Sequence, residues 1–311
     1  MKKLVIAVVL LVVAMLPVAG FTAEQDASDF TTTQKNAEQG DVEAQFNLAR
    51  MYAKGQGVPQ DEAKAVYWCE KAAEQGYAKA QFNLGNMYNA GRGVSKDEVK
   101  AVHWWTKAAE QGHANAQNNL GVMYEKGQGV PKDEAKAVYW WAKAAEQGYA
   151  NAQFNLGVMY ANGQGVLKDE AKAVHWFAIA AEQGRADAQF NLGIMYFYGY
   201  GVPKDKAKAV HWYEKAAEQG DVDTQFDLGV IYAMGKDVPK DDAKAVHWWT
   251  EAAEQGDDKA QFNLGNMYNA GRGVPKDEAK AMHWYEKAAA QGHAKAQFNL
   301  DLMAKKGVGI R

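Results

Sequence analysis

Between Gly40 and Gly292 the chain repeats itself every 36 residues. The tripeptide Glu-Gln-Gly ends at Gly40, Gly76, Gly112, Gly148, Gly184, Gly220 and Gly256, and Ala290-Gln291-Gly292 continues the series. In the same register, Ala-Gln-Phe-Asn-Leu begins at Ala44, Ala80, Ala152, Ala188, Ala260 and Ala296, with Asn118 replacing the ring in the third copy and Thr224 and Asp227 altering the sixth. Seven full units run from 41 to 292, with a partial unit at each end. In a tandem period of this length each unit buries its apolar face only against its neighbours, which makes a solenoid. One repeat domain over 36–311 is therefore expected, not the two globular domains that 311 residues would suggest.

Each unit reads as two helices. Ala44, Leu48 and Tyr52, with Met51 beside them, form one apolar stripe at helical spacing. Gly55 and Gly57 stop that helix, because glycine accepts the left-handed cap and tight turn most readily. Asp61 is placed to cap the second helix, whose stripe is Ala65, Cys69, Ala72 and Ala73. Gly85 and its equivalents (Gly121, Gly157, Gly193, Gly229, Gly265) interrupt the first helices. A mid-helix glycine costs about 1 kcal/mol against alanine, so close approach of the paired helices is the expected reason.

Ahead of the repeats, Met1-Lys2-Lys3, the apolar run 4–16 and the small residues to Ala23 have the order of a secretory signal peptide over 1–23. Cleavage after Gly20 or after Ala23 fits, and an uncleaved anchor is the alternative, since 4–23 carry no charge. The polar stretch 24–35 reads as a linker. Export to the periplasm is expected, with secretion as the second destination.

Composition removes several function classes. Lys+Arg number 35 against 38 Asp+Glu, with both signs interspersed, so no basic face for nucleic acid is expected. A single cysteine excludes an internal disulfide and a multi-cysteine metal site. Cys69 occupies the slot of Trp105, Trp141, Phe177, Tyr213, Trp249 and Tyr285, so it reads as a buried core residue. Two serines, Ser28 and Ser95, and no Ser-x-x-Lys leave little for serine hydrolysis. His103, His175, His211, His247 and His283 share one outward-facing slot, and successive equivalent helices stand too far apart to bring them to one metal ion. The Trp68, Trp104, Trp140, Trp176, Trp212, Trp248 and Trp284 row reads as packing between repeats, with sugar stacking as the alternative. Neither a catalytic residue nor a cofactor or metal is expected.

The pattern Leu84-Gly85-Asn86-Met87-Tyr88, Gly91-Arg92-Gly93-Val94, Lys100-Ala101, Trp104-Trp105 and Lys107-Ala108-Ala109 resembles the Sel-one-like repeat (SLR) family, a branch of the tetratricopeptide-like solenoids, over residues 41–306. The resemblance implies an all-α fold, a right-handed α/α superhelical solenoid of 36-residue helix-turn-helix repeats, used as an interaction scaffold and often exported by bacteria. Disulfide-rich exported relatives have been described as β-lactam-binding; with one cysteine this chain departs from that subgroup.

Phe46, Phe82, Phe154, Phe190, Phe226, Phe262 and Phe298 form a column two residues before the core leucine, roughly 200° around the helix from it. In tetratricopeptide-like folds the first helices line the concave side, so the resemblance implies an aromatic inner groove. Packing on the preceding unit's second helix is the other place for these rings. Asn47, Asn83, Asn119, Asn155, Asn191, Asn263 and Asn299 adjoin them and can pair with a partner's backbone. The expected function is non-enzymatic binding of protein or peptide on the concave face by a monomer. A cell-wall or β-lactam hydrolase, or a secreted factor acting on a host cell, are the alternatives. At the C-terminus Asp301 and Ala304 replace the close-packing glycine and the core tyrosine, which predicts a polar-faced cap over Trp284 and Tyr285.

Overall fold

A computed structural model describes the backbone of residues 19–305 except residue 237, and side chains from residue 29 onward. Among the described residues all regular structure is helical. The chain divides into two compact units. The first runs through Pro131 and holds α1 (Ala19–Glu38), α2 (Val42–Lys54), α3 (Glu62–Glu74), α4 (Ala78–Ala90), α5 (Glu98–Glu110) and α6 (Ala114–Lys126). The second, from Lys132, holds α7 (Glu134–Glu146), α8 (Ala150–Asn162), α9 (Glu170–Glu182), α10 (Ala186–Tyr198), α11 (Lys206–Ala217), α12 (Val222–Met234), α13 (Asp242–Glu254), α14 (Asp258–Ala270), α15 (Glu278–Ala290) and α16 (Ala294–Lys305). Within each unit, helices consecutive in sequence pack on one another. The fold is an all-α solenoid of tandem 36-residue repeats.

The local signals behave as their chemistry requires. Asp61 caps α3 by accepting from the Lys64 N–H at 2.9 Å, and Asp97, Asp133, Asp169, Asp205, Asp241 and Asp277 do the same for their helices. Each such cap is worth about 1 kcal/mol. The stripe residues Leu48, Ala65, Cys69 and Ala72 are all buried. A Cβ built on Gly85 would lie 2.5 Å from Trp105 Cδ1, and one on Gly157 2.7 Å from Phe177, so the glycine lets the second helix's ring lie against the first helix. Gly93 has a different task. Its φ is +69°, and a Cβ there would meet the Glu62 carbonyl oxygen of the preceding repeat at 2.2 Å.

Glutamines stitch successive repeats together. Gln45 is 5% exposed; its Nε2 donates to the Ala37 carbonyl, while its Oε1 accepts from Gln75 Nε2 at 2.7 Å. Gln75 belongs to the Glu-Gln-Gly tripeptide, and its Nε2 also donates to the Gly40 carbonyl. The arrangement recurs at Gln81 with Gln111, Gln153 with Gln183, Gln189 with Gln219, Gln225 with Gln255 and Gln261 with Gln291. Each buried amide is thereby satisfied at both ends, which avoids the cost of about 1–3 kcal/mol for a buried unpaired polar group.

Two terminal expectations need revision. Residues 24–35 are helical within α1, not a linker. The polar composition concealed a partial repeat that docks on α2: Phe30 meets Tyr52 edge-on at 5.7 Å and Ala37 is 1% exposed. Of the expected signal peptide, residues 1–18 lie outside the described residues. At the other end α16 buries Ala296 and Met303 in one cluster with Tyr285, while Trp284 packs in the cluster of Trp249 and Leu264. Its outer face mixes Gln297, Asp301 and Lys305 with exposed Phe298 and Leu302, so it is polar only in part.

Candidate interaction surface

The phenylalanine rings are held at two edges. Phe46 is buried, Phe82, Phe154, Phe190, Phe226 and Phe262 are half-buried, and Phe298 is 62% exposed. Their partners lie in their own repeat and at the start of the next one. Phe154, Phe190 and Phe262 meet Phe177, Tyr213 and Tyr285 of their own second helices at 5.8, 5.6 and 6.0 Å. The residue 31 positions on closes the other edge: Tyr77 against Phe46 at 5.2 Å, His113 stacked on Phe82 at 4.5 Å, Arg185 over Phe154 at 4.6 Å and His293 stacked on Phe262 at 4.6 Å. These contacts are not with the preceding unit's second helix, the packing that the sequence offered as the alternative.

The adjoining asparagines are less occupied. Asn47 is exposed, and Asn83, Asn119, Asn155, Asn191, Asn263 and Asn299 are half-buried. Asn191 Nδ2 donates to the Asp187 carbonyl at 2.7 Å, and Asn299 Nδ2 to Asn266 Oδ1 at 3.3 Å. Among the described residues, the side-chain amides of Asn83, Asn119, Asn155 and Asn263 form no hydrogen bond with protein. In the sixth repeat the same slot holds Asp227, whose carboxyl is raised above the usual range by burial and by the charges of Asp223 and Asp221.

Charge and protonation vary from repeat to repeat on this side. Burial against Phe82 lowers the His113 imidazole below its usual value, assisted by the Lys79 charge. Its Nδ1 accepts from the Ala116 N–H at 3.4 Å, which requires the neutral ring. Arg185 binds Asp187 through Nε and also donates to the Asn151 side chain.

The second helices carry a different pattern. His103, His175, His211, His247 and His283 are exposed, each with its ring against the tryptophan that follows it. The tryptophans pack in the core: Trp68 on the cluster of Leu48, Tyr52 and Ala65 in its own repeat with Ala37 ahead of it, and Trp212 on one that joins Phe177 of the preceding repeat to Leu192 of its own. Packing within and between repeats is thus their role. Burial pushes the Cys69 thiol up to about 12, with the Glu70 charge adding to it, and Sγ donates to the Ala80 carbonyl at 3.3 Å. A thiol held protonated in this way is neither nucleophile nor metal ligand at neutral pH.

The glutamine seam escaped the sequence reading, as did an aromatic outcrop in the fifth repeat. Tyr198 and Tyr200 stack at 5.5 Å and are 58% and 45% exposed, in slots that hold no aromatic residue in the other full repeats. A column-by-column comparison of the repeats is the signal that finds the second.

A Sel1 repeat profile matches residues 42–77, 78–113, 114–149, 150–184, 186–221, 222–257 and 258–293. Among solved structures, a protective antigen of uropathogenic Escherichia coli with an SLR fold is 40% identical, with a TM-score of 0.78 over 88% of this chain and 59% of its own. The chain thus spans little more than half the length of that antigen. A Sel1 repeat protein from Oxalobacter formigenes is 39% identical, with a TM-score of 0.73, over 92% of this chain and 84% of its own. Comparison with curated proteins gave no match. Seven concordant repeat units and these two likenesses establish that the chain belongs to the Sel1 repeat family.

Proposed function

We propose that the protein is an exported, non-enzymatic scaffold that binds an extended protein or peptide segment along its first helices, on the concave face. Sel1 repeat proteins are generally protein-interaction scaffolds. The observation that carries the finer reading is that side-chain amides in each unit, Asn83 and Asn119 in the first and Asn155 and Asn263 in the second, have no protein partner, with half-buried rings beside Asn83, Asn155 and Asn263. A peptide backbone supplies alternating donors and acceptors that such amides pair with, while the ring edges anchor its apolar side chains. Phe46, already buried, contributes least, and Phe298 most in exposed area. Monomeric action fits a surface that needs no second copy.

Export rests on the charged and apolar order of residues 1–23. Mass spectrometry of the mature N-terminus in fractionated cells tests it; a chain beginning at Phe21 or Glu24 in the periplasm is expected, and an intact Met1 in the cytosol opposes it. A secreted factor acting on a host cell is a second reading, favoured by the likeness to the uropathogenic antigen.

Peptides selected from a display library on the full chain test the binding face. Replacing Asn83, Asn155 and Asn263 together by alanine should weaken their binding at least tenfold, since each lost hydrogen bond is worth about 0.5–1.5 kcal/mol. Unchanged affinity opposes the proposal.

A further inference from the structure

The first repeat breaks the pairing rule that the later ones obey. Where Gly85, Gly157, Gly193, Gly229 and Gly265 face a Trp, Phe or Tyr ring, the first repeat has Ala49 and Cys69. Alanine fills the glycine's space, but the thiol does not replace the ring. A more enclosed cavity of about 220 Å³ lies among α2, α3 and α4, lined by Ala49, Cys69, Phe46 and Met87 and by three cations, whereas the same slots one repeat on, with Trp105 in the wall, line a more open recess of about 410 Å³ with Arg92 as its one cation. Apolar space of about 150 Å³ suffices for benzene, and drug-sized ligands need several hundred, so one ring is the right scale.

The cations are Arg50, Lys54 and Arg92. All three are exposed, which places them at the mouth, and no carboxylate lines the cavity. Arg272, in the slot of Arg92 in the last full repeat, is bound by Asp242 at 2.6 Å, whereas Arg92 forms no ion pair with a described residue. The Asn83 and Asn86 side chains add polar groups to the wall.

From the enclosed apolar floor and the cations without ion pairs together, we infer that this cavity binds a single aromatic ring bearing a carboxylate, with the ring over Cys69 and Met87 and the anion at Arg50 and Arg92. The same chemistry is offered by a free small aromatic acid and by a C-terminal aromatic residue of a peptide. The site shares Phe46 and Asn83 with the proposed peptide face but does not depend on it.

Titration of the full chain with benzoate and with benzamide, read by ligand-detected NMR and by the Met87 methyl shift, tests the inference. Benzoate should bind about tenfold more tightly than benzamide, the worth of one charge-assisted contact at an exposed rim. Arg50→Gln with Arg92→Gln, both at exposed positions, should abolish that preference while circular dichroism stays unchanged. Ala49→Gly with Cys69→Trp puts a ring on the cavity floor in place of the thiol, turning the enclosed site toward the open recess beside Trp105, and should weaken binding of both compounds about tenfold or more; intact circular dichroism verifies that it folds. Absence of a Met87 shift, equal affinity for benzoate and benzamide, or benzoate binding undiminished in that variant would each overturn the inference. Gly-Gly-Phe with a free carboxyl group, compared with its amide, distinguishes the two sources: binding tighter than benzoate points to a chain end, weaker binding to a free acid. The same variant leaves Asn155 and Asn263 untouched, so weakened benzoate binding with peptide capture retained separates this site from the proposed face.

Discussion

Opposite sides of the same first helices have diverged in how strictly they repeat. On the seam side, Gln81, Gln153, Gln189, Gln225 and Gln261 each donate to an alanine carbonyl of the preceding second helix, with distances between 3.0 and 3.2 Å. On the other side, the slot of Phe82 becomes Asn118, that of Asn83 becomes Asp227, and the closing residue varies among Tyr77, His113, Arg185 and Asp221. The physical difference is what each side must satisfy. A buried amide left unpaired costs about 1–3 kcal/mol, so Gln81, Gln153, Gln189, Gln225 and Gln261 all keep the same bonds, and only the exposed Gln297 of the last partial copy turns to Asp301 instead. A half-buried ring tolerates different neighbours, so copies drift there, and drift without loss of fold is what a surface free to specialise requires.

The largest expected effect lies on the core beneath the seam. Leu192→Ala, at a side chain 1% exposed, should cost about 2–5 kcal/mol in urea denaturation. A cost under about 1 kcal/mol would show that the second unit's core is not shared between its repeats. Next comes the seam itself. Gln189→Ala strands the Ala181 carbonyl and Gln219 and should cost about 1–3 kcal/mol, measured in the same way. If it proved neutral, the contrast between the two sides would lose its energetic basis. Across the helix, Asn155→Ala removes no protein hydrogen bond and should change stability by less than about 0.5 kcal/mol. Peptide affinity, by contrast, should fall several-fold, read by fluorescence anisotropy.

The smallest effect concerns protonation. His113 is held neutral by burial and by its capping bond, so its folded pKa lies below that of the unfolded chain. The unfolded state then binds the proton first, and the contribution is complete above about pH 7 and lost as pH falls through 6.5 toward the folded value. His113→Tyr, the residue that Tyr77 places in the same slot, should flatten the change in urea midpoint between pH 7.5 and 5.5. An unchanged pH profile would remove His113 from the account.

Much of the fold was legible because its letters act locally or at the fixed period. Asp61 caps within three residues, and Gly85 announces a close neighbour by lacking a side chain in a helix. The seam was hidden because Gln45 and Gln75 lie 30 residues apart and glutamine by itself reads as surface. The docked helix α1 was hidden for a related reason: a polar composition masks a single anchoring ring at Phe30. For the phenylalanine column, angle alone gave only the turn away from the core leucine. Its neighbours came from rings of its own second helix and from the residue 31 positions on, which no helical wheel displays.

A hydrogen-exchange footprint of the full chain, with and without a display-selected peptide, tests the central claim most directly. The account predicts slowed exchange confined to first-helix segments, around Phe154-Asn155, Phe190-Asn191 and Phe262-Asn263, with the second helices unchanged. Protection centred on the exposed histidine row, at His175, His211 and His247, with the first helices unaffected, would contradict it.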